Sequence, residues 1–385
     1  MRPLTAAQPK PMLPVAGTPL LEHTLDRAVA AGADRLVVVV GYESDRVRDH
    51  FGNQHGGVDI EYAVQTEQRG TADAVSAAAP MLDNEPFVVL NGDALYDQAS
   101  LDALYSNGPA VGSYRVDNPS AYGVLQLAAD DDSRVTGVVE KPANPQSNLI
   151  NTGAYVFPAA AYDLLNVETS ERGELELTDV LEAVCNQFSV TAVPFDRWLD
   201  VGRPWELLAA NEWLLESLST RLDGSVHEHA TLDGPVVVED GATVKAGVTI
   251  EGPAYIDSGA TVGPNAYVRG STYLAPDTKV GNAVEVKNSI LMRDATVGHL
   301  SYVGDSVLGQ RVNFGAGTKV ANLRHDGEPV TLTVKGERVS TGRRKLGVIV
   351  GDDAKTGINT SLNAGVVLGA GTTTRPGEVL TSDRW

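Results

Sequence analysis

An α/β domain followed by a β-solenoid is the fold class that this sequence predicts, and three observations predict it. Two near-continuous apolar runs, residues 35–41 (RLVVVVG) and 86–93 (PFVVLNGD), read as buried parallel strands. Segments of helical spacing alternate with them over the first 220 residues. Beyond that point aliphatic residues recur every six positions. Glycine follows the same division, with 15 of 39 in residues 1–223 and 24 in the remaining 162. A chain of 385 residues exceeds one ordinary core. The boundary is placed between domains 1–222 and 223–385.

In the first domain, residues 19–31, 71–79, 101–105 and 178–188 carry helical spacing, with Thr71 and Thr178 placed as N-caps. Strand and helix in alternation imply a βαβ-built sheet covered on both faces. Residues 203–218 (RPWELLAANEWLLESL) read as a helix closing this domain, and Asp223-Gly224 turns the chain into the second.

The second domain places aliphatic residues at Val226, Leu232, Val238, Val244, Ile250, Ile256, Val262, Val268, Leu274, Val280 and Val286. After two shorter steps the series resumes through Val297, Val303, Leu308, Phe314 and Val320, and after an interruption at Val350, Thr356, Leu362 and Leu368. Neither a helix nor an ordinary strand gives a period of six. A solenoid does, because each turn stacks its aliphatic residues into one interior column. The series resembles the hexapeptide repeats of left-handed parallel β-helices, with three hexapeptides to a coil.

Fifty acids against 30 bases give a net charge of −20, which argues against nucleic acid and anionic membrane as partners. Arg outnumbers Lys by 21 to 9, and the excess acid suits a salt-accumulating cytosol, where molar salt screens charge within about 3 Å. The single Cys185 excludes an intramolecular disulfide and fits a reducing, cytoplasmic setting.

The opening residues 2–15 are dense in proline and set Lys10 between Pro9 and Pro11, which fixes the direction of a cation suited to phosphate. Residues 2–21 (RPLTAAQPKPMLPVAGTPLL) resemble the signature of sugar-1-phosphate nucleotidylyltransferases, whose fold is a Rossmann-like nucleotidyltransferase domain. That family opens with a strand and a G-x-G-T-R loop, which this sequence lacks ahead of Arg2. The resemblance therefore implies a start upstream of Met1. It also implies that Gln65, Gly70 and Thr71 hold the nucleotide, UTP or dTTP. Asp93 and Asp200 would carry Mg²⁺, with Asp93 beside the nucleotide as well. Gly123, Glu140, Lys141 and Asn151 would surround the sugar phosphate. The implied reaction is attack of the sugar phosphate on the nucleotide α-phosphorus, helped by Lys10, with release of pyrophosphate.

Residues 284–288 (VEVKN) and 297–305 (VGHLSYVGD) resemble the acyltransferase coils of bifunctional uridylyltransferase/N-acetyltransferases. A histidine near pKa 6.5 can remove the proton of an ammonium, and His299 matches that general base. Tyr302, Asn313 and Asn322 match residues about the amino sugar, and Arg269 and Lys287 the cations on its phosphate. Ala316 and Lys345 match contacts to acetyl-CoA. The sequence departs from the bacterial pattern at Leu323, where tyrosine is usual, and in the insertion 324–344. An alternating segment there, 331–339, reads as a hairpin.

The resemblance implies a bifunctional enzyme that makes UDP-N-acetylglucosamine, a homotrimer through the β-helix acting on small sugar phosphates and nucleotides. Two alternatives stand beside it. One is a monofunctional glucose-1-phosphate uridylyl- or thymidylyltransferase with a silent helix; the other is a non-catalytic assembly subunit.

Overall fold

The strands foretold by the apolar runs are present, but they do not join one sheet. The computed structural model describes residues 1–385. They gather into two compact units, Leu20–Asp200 and a second that combines Met1–Pro19 with Val201–Trp385. No helix is long and apolar enough to cross a membrane.

In the unit Leu20–Asp200, Leu36–Val40 pairs in parallel with Val58–Val64, and Gln54–His55 closes the far side antiparallel. A separate six-stranded sheet has the order Phe87–Leu90, Leu149–Phe157, Ala110–Arg115, Val190–Pro194, Arg134–Glu140, Gly123–Leu127. Here one expectation is corrected. Phe87–Leu90 is an antiparallel edge strand, mostly half-buried, and the only parallel pair in this sheet joins Ala110–Arg115 to Val190–Pro194. An apolar run reports burial and not direction. The most buried strand of this sheet is Leu149–Phe157, whose polar Asn-Thr-Gly centre hides it from a reading by hydrophobicity.

Both faces of the six-stranded sheet are covered, as alternation of strand and helix requires. Val111, Leu125, Tyr155 and Phe157 join one core with the helix Leu177–Cys185. Ala110, Val124, Ile150 and Ala154 join the other with the helix Gln98–Tyr105. The N-caps differ from expectation. Gly70 caps the helix Thr71–Ala78 without a side-chain bond, and Glu176 precedes Leu177–Cys185, so Thr71 and Thr178 lie inside their helices. Thr71 is instead drawn away as an acceptor, its Oγ1 taking the amide of Leu177 at 3.0 Å.

The second unit winds three parallel sheets about a column of Val, Ile and Leu. Each fully buried side chain of that column contributes roughly 1.5–3 kcal/mol by leaving water. Two faces have eight strands and one has seven. The face containing Val236–Val238, Ala254–Ile256 and Thr272–Leu274 is buried at every position of those strands except Tyr255, which is half-buried. Its outer side is covered within the unit. Asn211, on the helix Glu206–Leu215, donates to Ser271 O at 2.7 Å and accepts from Ala16 N at 3.1 Å. Gly17, at φ +103°, lies so near Tyr255 that a Cβ would stand 2.9 Å from the ring. The proline-rich opening thus lies along the solenoid, with Gln310 donating to Gln8 at 3.0 Å.

The insertion forms the hairpin Thr331–Val334 with Glu337–Ser340. Lys335 and Gly336, both at positive φ, supply the two-residue turn such hairpins favour. Charge divides as unevenly as structure. Leu20–Asp200 holds 29 acids and 10 bases, net −19, which leaves 21 and 20, net −1, for the other unit.

Candidate active sites

Gly123, Glu140 and Asn151, far apart in sequence, meet at one point. Gly123 pairs with Glu140 across adjacent strands. A Cβ on Gly123 would stand 2.9 Å from Asn151 Nδ2, 2.9 Å from Glu140 Oε2 and 3.2 Å from Thr178 Cγ2. The missing side chain is what leaves room for this cradle. Asn151 is held by its own oxygen, which accepts from Gly153 N at 2.7 Å and Tyr155 Oη at 2.8 Å. The register breaks between Asn151 and Tyr155, a bulge of the kind that re-aims side chains. Lys141 Nζ lies 3.4 Å from Glu140, at the strand end.

From Asn151 the network runs on to the two aspartates. Tyr96 Oη donates to Gly153 O at 3.2 Å and accepts from Asn91 N at 3.1 Å. Burial pushes the Tyr96 hydroxyl well above its usual range, and the nearby charges of Asp93 and Asp200 push it the same way. Ala94 pairs with Asp200 across two short strands, and Asp93 immediately precedes Ala94. Two half-buried carboxylates at one end of a strand pair form the hard-oxygen donor set that Mg²⁺ prefers, so the residues present fit the ion.

The loop 65–71 is braced on the start of the helix Leu177–Cys185. Leu175 donates to Arg69 O at 2.7 Å and accepts from Ala72 N at 2.9 Å. Gly70, at φ +134°, could carry no Cβ, which would meet Leu175 N at 2.6 Å. Gln65 Nε2 donates to Gly70 O at 3.0 Å and Asp73 Oδ2 at 2.8 Å, which fixes its amide on the loop. Lys10 stands in the 3-10 turn Lys10–Met12, directly after Pro9 as the proline spacing implies, and belongs to the other compact unit.

Sequence reasoning missed Arg172. Its Nη1 lies 3.2 Å from Glu140 and 3.1 Å from Glu176, so a further side chain joins the cradle. Its signal in the sequence is faint, one arginine in the run Glu171–Glu176.

On the solenoid, one face aligns Tyr267, Glu285 and Tyr302 in one column and Arg269, Lys287 and Gly304 in the next. Arg269 is paired with Glu285 at 2.7 Å. Lys287 Nζ lies 2.8 and 3.0 Å from the two oxygens of Asp305, which is 3% exposed. Asn322 Nδ2 donates to Asp305 Oδ2 at 2.6 Å and to Tyr302 Oη at 3.0 Å. These side chains close over Gly304, where a Cβ would collide with Tyr302 Oη and stand 2.8 Å from Asn322 Nδ2. Burial, then the charges of Asp305 and Glu285, raise the Tyr302 hydroxyl above its ordinary range.

The other predicted residues are not drawn into that cluster. His299 is exposed at the corner between Thr296–Val297 and Tyr302–Gly304. Asn313 is exposed on the neighbouring face, and Ala316 lies at the corner beyond it. Lys345, exposed, bridges to Leu323 at the closure of the insertion.

The nucleotidyl transferase family profile matches residues 1–217, and that of the GMPPB C-terminal domain matches 250–368. A bifunctional protein GlmU of Methanocaldococcus jannaschii is 43% identical over 96% of this chain and 89% of its own. A bifunctional sugar-1-phosphate nucleotidylyltransferase/acetyltransferase of Sulfurisphaera tokodaii is 37% identical over 100% of this chain and 94% of its own. This chain belongs to that bifunctional family. Gly123, Glu140 and Asn151 lie within the stretch matched by the nucleotidyl transferase profile, and Lys287, Tyr302, Asp305 and Asn322 within that matched by the GMPPB C-terminal domain. A solved UDP-glucose pyrophosphorylase bound to UDP-glucose aligns at TM-score 0.52 and 22% identity, over 56% of this chain and 94% of that one. At that identity the likeness is one of fold.

Proposed function

We propose that the protein makes UDP-N-acetylglucosamine in two steps, N-acetylation of glucosamine-1-phosphate by acetyl-CoA and then uridylyl transfer from UTP, with dTTP as the alternative nucleotide. The observation that carries the two-step reading is the cluster of Tyr302, Asn322, Lys287 and Asp305 on one solenoid face. A helix used only for assembly has no need to bury a carboxylate against a lysine and an amide.

In the first step His299 takes a proton from the ammonium of the amino sugar, freeing the amine. The amine nitrogen bonds to the thioester carbonyl carbon, the carbon–sulfur bond breaks, and the leaving sulfur is protonated to the thiol. Arg269 and Lys287 hold the sugar phosphate, Tyr302, Asn313 and Asn322 orient the amino sugar, and Ala316 and Lys345 contact the coenzyme. In the second step the sugar phosphate oxygen bonds to the α-phosphorus, and the bond to the departing pyrophosphate breaks. Gly123, Glu140, Asn151 and Lys141 place the sugar phosphate; Gln65, Gly70, Thr71 and Asp93 place the nucleotide; Lys10 meets the phosphates. Mg²⁺ on Asp93 and Asp200 would neutralise phosphate charge there. Positioning and charge neutralisation suffice, and no covalent intermediate is needed.

The division of activities follows residues 1–222 and 223–385. The setting is a cytoplasm rich in salt, and the assembly is a trimer in which a neighbouring helix faces the open solenoid site. The test is to incubate the protein with glucosamine-1-phosphate, acetyl-CoA, UTP and Mg²⁺ and follow thiol and pyrophosphate separately. Both should appear. Pyrophosphate from glucose-1-phosphate with no thiol from the amino sugar would favour the single-activity reading.

A further inference from the structure

Asp305 is the one buried carboxylate of the solenoid cluster, and it has no part in the acid–base step above. All contacts of its carboxylate are donors. Oδ1 accepts from Lys287 Nζ and Asn288 Nδ2, each at 3.0 Å, and Oδ2 accepts from Lys287 Nζ at 2.8 Å and Asn322 Nδ2 at 2.6 Å. Asn288 is held in turn by Glu212 at 2.7 Å, and Glu212 by Arg343, Nη1 to Oε2 at 3.2 Å.

A carboxylate paired with a lysine accepts hydrogen bonds and donates none. The side of the Asn322 amide that faces Asp305 must therefore be its NH₂. Both hydrogens of that group are used, one by Asp305 and one by Tyr302 Oη. Two consequences follow. The Asn322 carbonyl oxygen is left to accept, and the Tyr302 hydroxyl, already an acceptor toward Asn322, has its own proton left to donate.

We infer that Asp305 is a positioning residue for acetyl transfer: through Asn322 it fixes which groups of the site accept and which donate. The accepting Asn322 oxygen suits an amine N–H, and the donating Tyr302 hydroxyl suits an oxygen acceptor on the substrates. This rests on the acetyltransferase reading. Without the carboxylate the Asn322 amide can turn over, because an amide at 305 meets either orientation equally well.

The experiment is steady-state thiol release with glucosamine-1-phosphate and acetyl-CoA, for the wild type, Asp305→Asn, and the exchanged pair Asp305→Asn with Asn322→Asp. In Asp305→Asn, kcat should fall about 10-fold or more, with KM for acetyl-CoA within about twofold of wild type. The exchanged pair restores an acceptor at 322 that faces a donor at 305 but draws the Tyr302 proton to Asn322→Asp, so it should recover only part of the lost kcat, several-fold above the single variant. That partial rescue is a readout that a merely structural role would not move, and it also serves if Asp305→Asn alone fails to fold. An active wild type whose kcat survives Asp305→Asn within twofold would overturn the role of Asp305. So would an exchanged pair that folds and stays at or below the activity of the single variant. A wild type that releases no thiol overturns the acetyltransferase reading itself, and this assignment with it.

Discussion

Gly123 and Gly304 do the same work in different ways, and the contrast separates the two units. Each leaves out a Cβ that would strike the side chains assigned to its site. Around Gly123 the walls come from separate strands and a helix start, Glu140, Asn151 and Thr178, which fold back over one sheet. Around Gly304 they come from its own strand and the next coil, Tyr302 and Asn322, standing on a flat face. A mixed α/β sheet can close a cradle within one chain. A solenoid face stacks columns and offers one wall, with Asn313 on the adjoining face.

Changes that silence one activity alone test that separation most severely. His299→Ala should lower thiol release by roughly 100- to 10,000-fold, the span of a lost general base, and leave pyrophosphate release from supplied N-acetylglucosamine-1-phosphate unchanged. Equal loss of both activities would mean that the two sites are not independent. Asp200→Ala should do the converse. Loss of one hard ligand should cut pyrophosphate release by roughly 100-fold, with several kcal/mol of metal stabilisation at stake. Partial recovery at raised Mg²⁺ would mark the residue as a ligand, and indifference to Mg²⁺ would count against it.

The two glycines come next. Gly123→Ala pushes on Asn151 and Glu140, so it should cost nucleotidyl transfer roughly 10- to 100-fold, since misplacement of about 1 Å is enough. Gly304→Ala should do the same to acetyl transfer by displacing Tyr302 and Asn322. If the solenoid site yields more easily, its loss will be the smaller of the two, because its side chains have open space on one side.

What the sequence showed and what it hid follow the same contrast. The solenoid was legible because its interior column repeats at a fixed interval, so each aliphatic residue confirms the next. Glu140 and Asn151 were legible as motif residues, and the fold brings them to one glycine. Asp305 was visible only as the end of a run. Its importance lies in Lys287, Asn288 and Asn322, one coil away on either side, and local spacing does not report such stacking. Arg172 was lost in a charged loop for the same reason. The parting of Leu36–Val40 from the six-stranded sheet was hidden too, because apolar runs do not encode which edges pair.

The smallest expected effect concerns the charge. If the net −20 were an adaptation of the whole surface to salt, it would be spread over both units. It is not: Leu20–Asp200 carries −19 and the remainder −1. At 0.1 M salt the screening length is about 10 Å, so the acids of the first unit repel one another, and at 1 M it falls to about 3 Å. Screening also weakens exposed ion pairs such as Arg311–Asp353, but these contribute at most about 1 kcal/mol each. In the first unit the unpaired excess outweighs such pairs; in the second, 21 acids against 20 bases leave little repulsion to relieve. Molar KCl should therefore raise the melting temperature of Leu20–Asp200 by several degrees and move the solenoid little. Calorimetry across a KCl series on the full chain measures this as two transitions that separate or merge with salt. An equal rise in both would show that solvent acts on the molecule as a whole, whatever the distribution of its charge.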